Sequence, residues 1–353
     1  MKKKLLVLSL CMLLMSAVFV GCGSNNNEVV VNDVSTQNAN NTVTETTETE
    51  ATEVAVDTNV EVEKNNVFAS PEWVKNVIDG NEEASSDYVI IEASWGEANI
   101  NETYKATHIP GAVHMNTDEI EEPMYWNIRT GEEITAVMAK YGITKDTTVI
   151  VYGGDSGAAR VAFVCLWAGV ENVKLLDGGL NAWLAAEYPT EEGIVEPTAT
   201  TEAFGLEIPA HPEYVLAMPE DAQAAMDTNE NFKLVSIRSL EEFKGEISGY
   251  SYIERAGEPA GAVWGQDEFT YLNEDGTFVD IETAESILNE QGITKDNDIA
   301  FYCGTGWRAT IPFLIAYENG WENIQLFDGG WFVWQMDENN PVQYLSPEEA
   351  AEQ

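Results

Sequence analysis

The chain repeats itself, and that restricts its architecture more than any other feature. Gly142-Ile143-Thr144-Lys145-Asp146 returns as Gly292-Ile293-Thr294-Lys295-Asp296, 150 residues further on. Pro110-Gly111-Ala112-Val113 returns at the same offset as Ala260-Gly261-Ala262-Val263. The stretch from Val170-Glu171-Asn172-Val173 to Asp177-Gly178-Gly179 returns, offset by 151, as Trp321-Glu322-Asn323-Ile324 to Asp328-Gly329-Gly330. Ala69, Pro71 and Glu72 are echoed at Ala217, Pro219 and Glu220. Matches in one order at a nearly constant offset mean a duplicated domain. The predicted units are residues 67–192 and 211–345, joined by a linker over 193–210.

Within each unit, strand and helix patterns alternate. Tyr88–Ile91, Thr148–Tyr152, Lys233–Val235 and Asp298–Tyr302 are short runs, nearly all apolar, as parallel strands covered on both faces must be. Helical stretches such as Ala158–Trp167 and Ala309–Glu318 lie between and after them. The predicted fold class is α/β, two tandem domains, each a parallel sheet with helices on both faces. Right-handed crossovers then put ligand sites at the carboxyl ends of the strands.

Ahead of the duplication come two segments of other kinds. Lys2, Lys3 and Lys4 precede an apolar run from Leu5 to Val20, the pattern of an export signal and short for a spanning helix of roughly 20 residues. The run ends in Phe19-Val20-Gly21-Cys22, which resembles a bacterial lipoprotein signal. That resemblance implies that residues 1–21 are removed and that Cys22 is lipidated. Residues 22–66, rich in Asn, Thr and Glu, have no aromatic residue and no sustained apolar period, so a spacer without a packed core is expected. The expected location is the extracytoplasmic side of a bacterial membrane, reached through the lipid alone.

Charge narrows the partners. Lys and Arg total 17 against 61 Asp and Glu, a formal net charge of -44. A chain so acidic repels nucleic acid and anionic lipid surfaces. Any anionic substrate needs a local positive site set against that field.

Such a site is legible after the strand Asp298–Tyr302, which runs into Cys303-Gly304-Thr305-Gly306-Trp307-Arg308 before a helix. Backbone N–H groups curled by the two glycines, together with the helix dipole, favour a thiolate at Cys303. Arg308 adds a fixed positive charge. A nucleophile in an anion nest suits covalent transfer to and from an anionic donor. These six residues alone also allow a structural cysteine beside a glycine-rich turn.

At this point the chain resembles the tandem-domain rhodanese family, sulfurtransferases of the thiosulfate or 3-mercaptopyruvate type. The motifs are His108-Ile109-Pro110-Gly111-Ala112, Leu176-Asp177-Gly178-Gly179 with Trp183, Arg238-Ser239 leading to Glu242-Phe243, and Phe327-Asp328-Gly329-Gly330 with Trp334. The resemblance implies a catalytically silent first domain, in agreement with Gly153 at the position matching Cys303. It implies a persulfide on Cys303, and substrate binding by Gly304, Thr305, Gly306, Trp307 and Arg308, with Arg238 either helping to bind substrate or buttressing the fold. A small anionic sulfur donor would give its sulfur to Cys303, and a thiol, cyanide or a protein acceptor would remove it. The loop length matches sulfur transfer; related phosphatases use a loop one residue longer.

The sequence departs from that pattern in two places. Thr305 stands where thiosulfate-type members carry a basic residue. Glu242 stands where a second Arg is usual and would repel either donor if it pointed into the site, with Arg255 a candidate substitute. A non-catalytic sulfur- or anion-binding or partner-docking module therefore stands as the alternative. A thiol redox protein is disfavoured, because there is no Cys-x-x-Cys. Cys165 reads as core, His108, His114 and His211 as structural residues without metal-ligand spacing, and the Asp-Gly-Gly turns as needing no catalytic role. Trp307 and Trp264 are candidates to line an inter-domain cleft. No metal or cofactor is expected, since neither a P-loop nor a dinucleotide fingerprint appears.

Overall fold

The structure, a computed structural model, describes residues 65–345. The leader, Cys22 and all but the last two residues of the acidic tract lie outside the described residues. Those last two are already held: the Asn65 N–H donates to the Glu318 carbonyl (3.0 Å) and the Lys174 ammonium to the Asn66 carbonyl. The tract predicted over 22–66 thus overlaps by two residues a segment that is bonded to both repeats.

The first repeat contains β1 (Phe68–Ala69), β2 (Tyr88–Ser94), β3 (Val113–Asn116), β4 (Thr148–Tyr152) and β5 (Asn172–Leu176). They form one parallel sheet in the order β1-β5-β4-β2-β3. The second contains β6 (Val215–Leu216), β7 (Phe232–Ser236), β8 (Glu258–Pro259), β9 (Val263–Trp264), β10 (Asp298–Tyr302), β11 (Ile324–Phe327) and β12 (Val342–Gln343). Five of these repeat the parallel order as β6-β11-β10-β7-β9, while β8 and β12 pair as a small antiparallel ribbon. The crossover order and apolar strands follow from helices covering both sheet faces. All five residues of β4 are buried, and in β10 only Asp298 is not.

The two helices that follow the central strands, Gly157–Ala168 and Thr310–Glu318, explain why the repeats form one body. Every residue of the first and the first seven of the second are buried. A helix apolar all round must be covered all round. Each covers the other, with Phe163 and Phe313 in edge-to-face contact at 4.7 Å. One hydrophobic cluster accordingly runs through both repeats, from Val149 and Val151 to Ile299 and Phe301. The predicted linker has no regular secondary structure and lies along the first repeat, where the Thr200 N–H donates to Ala139 and the Phe204 carbonyl accepts from Lys145. Cys165 is core, as expected, and burial pushes its thiol up to about 12.

The Asp-Gly-Gly turns carry a structural role that the sequence reading did not assign. The Asp177 carboxylate accepts the Phe278 N–H (2.8 Å), and the Asp328 carboxylate accepts the Ile128 N–H (2.8 Å). Residues 128 and 278 are themselves repeat equivalents. Each domain therefore uses its own turn to clasp the matching loop of the other.

Candidate active site

Strand β10 lies in the middle of the second sheet, between β11 and β7, and delivers Cys303 at its carboxyl end. Cys303 is fully buried. The loop is held from beneath, where the Cys303 and Gly304 carbonyls accept the N–H groups of Trp331 and Phe332, both at 2.9 Å. No protein acceptor among the described residues takes the backbone N–H of Gly304, Thr305, Gly306, Trp307 or Arg308. Buried N–H groups are rarely left so. A run of them beside a thiol is the donor set of an anion cradle. Gly306 has φ +86°, and a Cβ on it would press on Arg160 Nη1 at 3.0 Å. A Cβ on Gly304 would overlap the Tyr250 ring. Gly153, matching Cys303 in the first repeat, lies so close to the Ala93 carbonyl that any side chain there would clash. The first domain lacks room for a nucleophile as well as the nucleophile itself.

Arg308 is not the free anion anchor that the sequence predicts. Its guanidinium donates to both Glu242 oxygens, Nη1 at 2.8 Å and Nη2 at 2.9 Å, and to the Tyr250 hydroxyl at 2.7 Å. Burial works against its charge, but Glu242 outweighs that and holds Arg308 firmly protonated. Glu242 therefore turns its carboxylate to Arg308 and neutralises it. Burial alone would raise the Glu242 carboxyl; the Arg308 hydrogen bonds and the Arg238 charge bring it below its ordinary value. A local signal marks this carboxylate. Ser239 and Glu242 form a capping box on the helix Leu240–Phe243, which orients the side chain.

Arg238 lies close by but is fully buried and committed to the protein. It donates to Glu242, to Glu258 (2.8 Å) and to the carbonyls of Gly257 (2.8 Å) and Ser248 (2.9 Å). These last bonds staple the loop that carries Tyr250 and Tyr252. Of the two roles open to Arg238, these bonds favour buttressing the fold. Glu258, beneath it, accepts from Ser236, Arg238 and Tyr302, and burial pushes it up to about 7. Neither Arg255 nor Trp264 lines the cleft: the Arg255 carbonyl accepts from Trp331 and the Trp264 indole donates to the Arg238 carbonyl, both at 2.8 Å.

Above the loop lies a cleft of about 650 Å³ between the two repeats. Thr305, Trp307 and Arg308 form one side, with Tyr250 and Tyr252 beside them; Trp95, Asp118, Glu121, Trp126 and Ser156 come from the first repeat. Trp307 lines the cleft as expected and donates its indole N–H to Glu121 at 2.8 Å. Glu121 also accepts from Arg160 Nε (3.0 Å), and Arg160 reaches Asp328 at 2.6 Å. Burial pushes Glu121 up to about 7 against the pull of Arg160. The first repeat thus supplies one wall of the cleft. The aromatic and acidic members of that wall, and the loop tyrosines, carry no local motif. Three histidines have structural partners: Tyr104 for His108, Glu92 for His114 and Glu213 for His211. Among the described residues no cluster of His, Cys, Asp and Glu could hold a metal ion.

A thiol at the carboxyl end of a central parallel strand, in a loop whose N–H groups have no protein acceptor among the described residues, defines the class: an α/β protein with a cysteine set in an anion cradle. The rhodanese-like domain model matches residues 70–186 and 218–337, and the chain belongs to that family. Thiosulfate sulfurtransferase YnjE of Escherichia coli (strain K12) is 41% identical over 282 residues, covering 77% of this chain. The chain spans 64% of the length of that curated relative. The crystal structure of YnjE aligns with a TM-score of 0.73 at 39% identity, over 80% of this chain and 70% of that one. The anaerobic ergothioneine biosynthesis enzyme from Chlorobium limicola, solved with trimethyl histidine, aligns at 0.76 and 33% identity, over 81% of this chain and 72% of that one. Sulfur carrier protein TtuD of Thermus thermophilus is 28% identical, covering 65% of this chain and 83% of that protein.

Proposed function

We propose that this protein is a sulfurtransferase in which Cys303 carries the sulfur as a persulfide. The observation that carries this reading is the cradle itself: a strand-end thiol followed by five backbone N–H groups that no protein acceptor among the described residues uses. The Cys303 thiolate attacks the sulfane sulfur of a small anionic donor. The bond from that sulfur to the rest of the donor breaks, and sulfite leaves from thiosulfate, or pyruvate from 3-mercaptopyruvate. The loop N–H groups stabilise the sulfur anion in both half-reactions, as an oxyanion hole does for oxygen. Because Glu242 neutralises Arg308, the cradle and not a side-chain cation carries the attraction for the donor. A thiol, cyanide or a sulfur-accepting protein then removes the outer sulfur; the likeness to a sulfur carrier protein supports the last of these. Lipidation at Cys22, outside the described residues, would hold the enzyme on the outer face of a membrane with residues 22–66 as its tether.

The test is intact-mass measurement of the protein, without its leader and tether, after incubation with thiosulfate or with 3-mercaptopyruvate. A gain of one sulfur that cyanide removes, and that is absent from Cys303→Ser, is the expected result. No gain with either donor favours the non-catalytic binding module.

A further inference from the structure

The charge in the cleft is the reverse of what an anion-binding enzyme needs. Arg308 and Arg238 are matched by Glu242 and Glu258 in one buried cluster with no net charge. Arg160 is shared between two carboxylates, Glu121 and Asp328. Asp118 and Glu268 line the cleft in addition. With every carboxylate ionised, these groups leave an excess of three negative charges around Cys303, which the cradle offsets only at the loop itself.

The remaining wall is aromatic. Trp126 stacks on Phe332 at 4.8 Å and meets Tyr252 edge-on at 4.6 Å. Its backbone is left-handed at φ +56°, a conformation that costs energy for a bulky residue, and the Arg160 guanidinium holds it by donating to the Trp126 carbonyl. Trp95 stands 68% exposed in the same cleft. Aromatic faces combined with carboxylates in one cleft are the chemistry that recognises ammonium and quaternary ammonium groups.

We propose that the sulfur acceptor is a small cationic thiol, whose ammonium group rests on the Trp126, Trp95 and Tyr252 wall while its sulfur faces the Cys303 loop. This rests on the persulfide reading above and specifies the substrate of its second half. The acceptor thiolate attacks the outer sulfur of the Cys303 persulfide. The bond between the two sulfurs breaks and its electron pair stays on Cys303 Sγ, within the cradle. The outer sulfur, with its proton, leaves as the persulfide of the acceptor, so no outside oxidant or reductant enters. Glu268 and Asp118 supply the counter-charge for the ammonium group.

Two measurements test this separately from the transferase reading. First, choline is titrated into the sulfur-free protein and into Cys303→Ser, with tryptophan fluorescence as readout and 3,3-dimethyl-1-butanol, its neutral carbon isostere, as control. Saturable binding of choline but not of the isostere, in both proteins, is expected. Second, persulfide-loaded protein is mixed with thiocholine, 2-mercaptoethanol or 3-mercaptopropionate at equal thiolate concentration. Thiocholine should react about tenfold faster than the neutral thiol, and the anionic thiol slowest. Trp126→Leu and Glu268→Gln should each bring the thiocholine to 2-mercaptoethanol ratio toward one. Equal rates for the three thiols without choline binding overturn the proposal. Choline binding in a protein that never takes up sulfur keeps the cation site and overturns the persulfide reading.

Discussion

At the scale of single residues, the decisive pair is Glu242 and Arg308. Removing the carboxylate leaves the buried Arg238 and the half-buried Arg308 guanidinium groups short of a counter-charge. Breaking a buried pair in this way costs about 3–5 kcal/mol. Glu242→Ala should lower the urea midpoint by a corresponding amount, and an unchanged midpoint would contradict the pairing. The carboxyls also set the pH response. Glu121 and Glu258 rise from 4.5 in the unfolded chain to about 7 in the folded protein. Between those values the native state holds the extra protons, so stability falls as pH rises from about 4.5 to about 7 and levels off above. Glu242 has the opposite sign. Its folded value is depressed, so its contribution is complete above the ordinary carboxylate range and is lost as pH falls through the folded value. Urea unfolding of Glu258→Gln should show a shallower decline over the upper window; an unaltered decline would exclude Glu258 as a source.

At the scale of elements, the Cys303 loop depends on close approach as much as on its own residues. Gly304→Ala places a methyl group in the Tyr250 ring and shifts the loop while keeping Cys303. A displacement of about 1 Å from productive geometry lowers rates by roughly 100-fold, so sulfur uptake by Gly304→Ala should slow by about that factor, followed by stopped mass measurements. Uptake at the normal rate would mean that the Tyr250 packing does not define the loop. The loop and the strand feeding it were legible because both are local: five residues of β10, then glycines and a cysteine. Strands β2 and β7 were legible in the same way, one end or both falling short. The partners of Arg308 and Arg238 were not. Glu242 stands in the capping box Ser239–Glu242, a readable signal for a helix start, but nothing local says that its carboxylate reaches an arginine 66 residues away. Tyr250, Tyr252 and Trp126 lie on irregular loops with neither period nor motif, and only the folded chain brings them to Cys303.

At the scale of the whole molecule, the repeat predicted two domains, and the structure shows why neither is independent. The Gly157–Ala168 and Thr310–Glu318 helices cover each other, and Arg160 of the first repeat carries the counter-charge for Asp328 of the second. Calorimetry should therefore give a single unfolding transition for residues 65–345, and two resolved transitions would contradict the shared core. Arg160→Met should lower stability by about 3–5 kcal/mol and disturb both the Trp307–Glu121 contact and the Trp126 backbone. The duplication was visible in the sequence because paired segments keep their residues. The reciprocal clasp of Asp177 on Phe278 and Asp328 on Ile128 was not, since both aspartates read as ordinary strand-to-helix turns. The first repeat is thus one wall of the cleft above Cys303.

Whether sulfur resides on Cys303 is settled by peptide-level mass spectrometry of thiosulfate-treated protein. One extra sulfur is expected on the peptide containing Cys303, none on the peptide containing Cys165, and its loss on adding cyanide. Sulfur on Cys165, or an unmodified Cys303 with every anionic donor tried, would contradict that expectation.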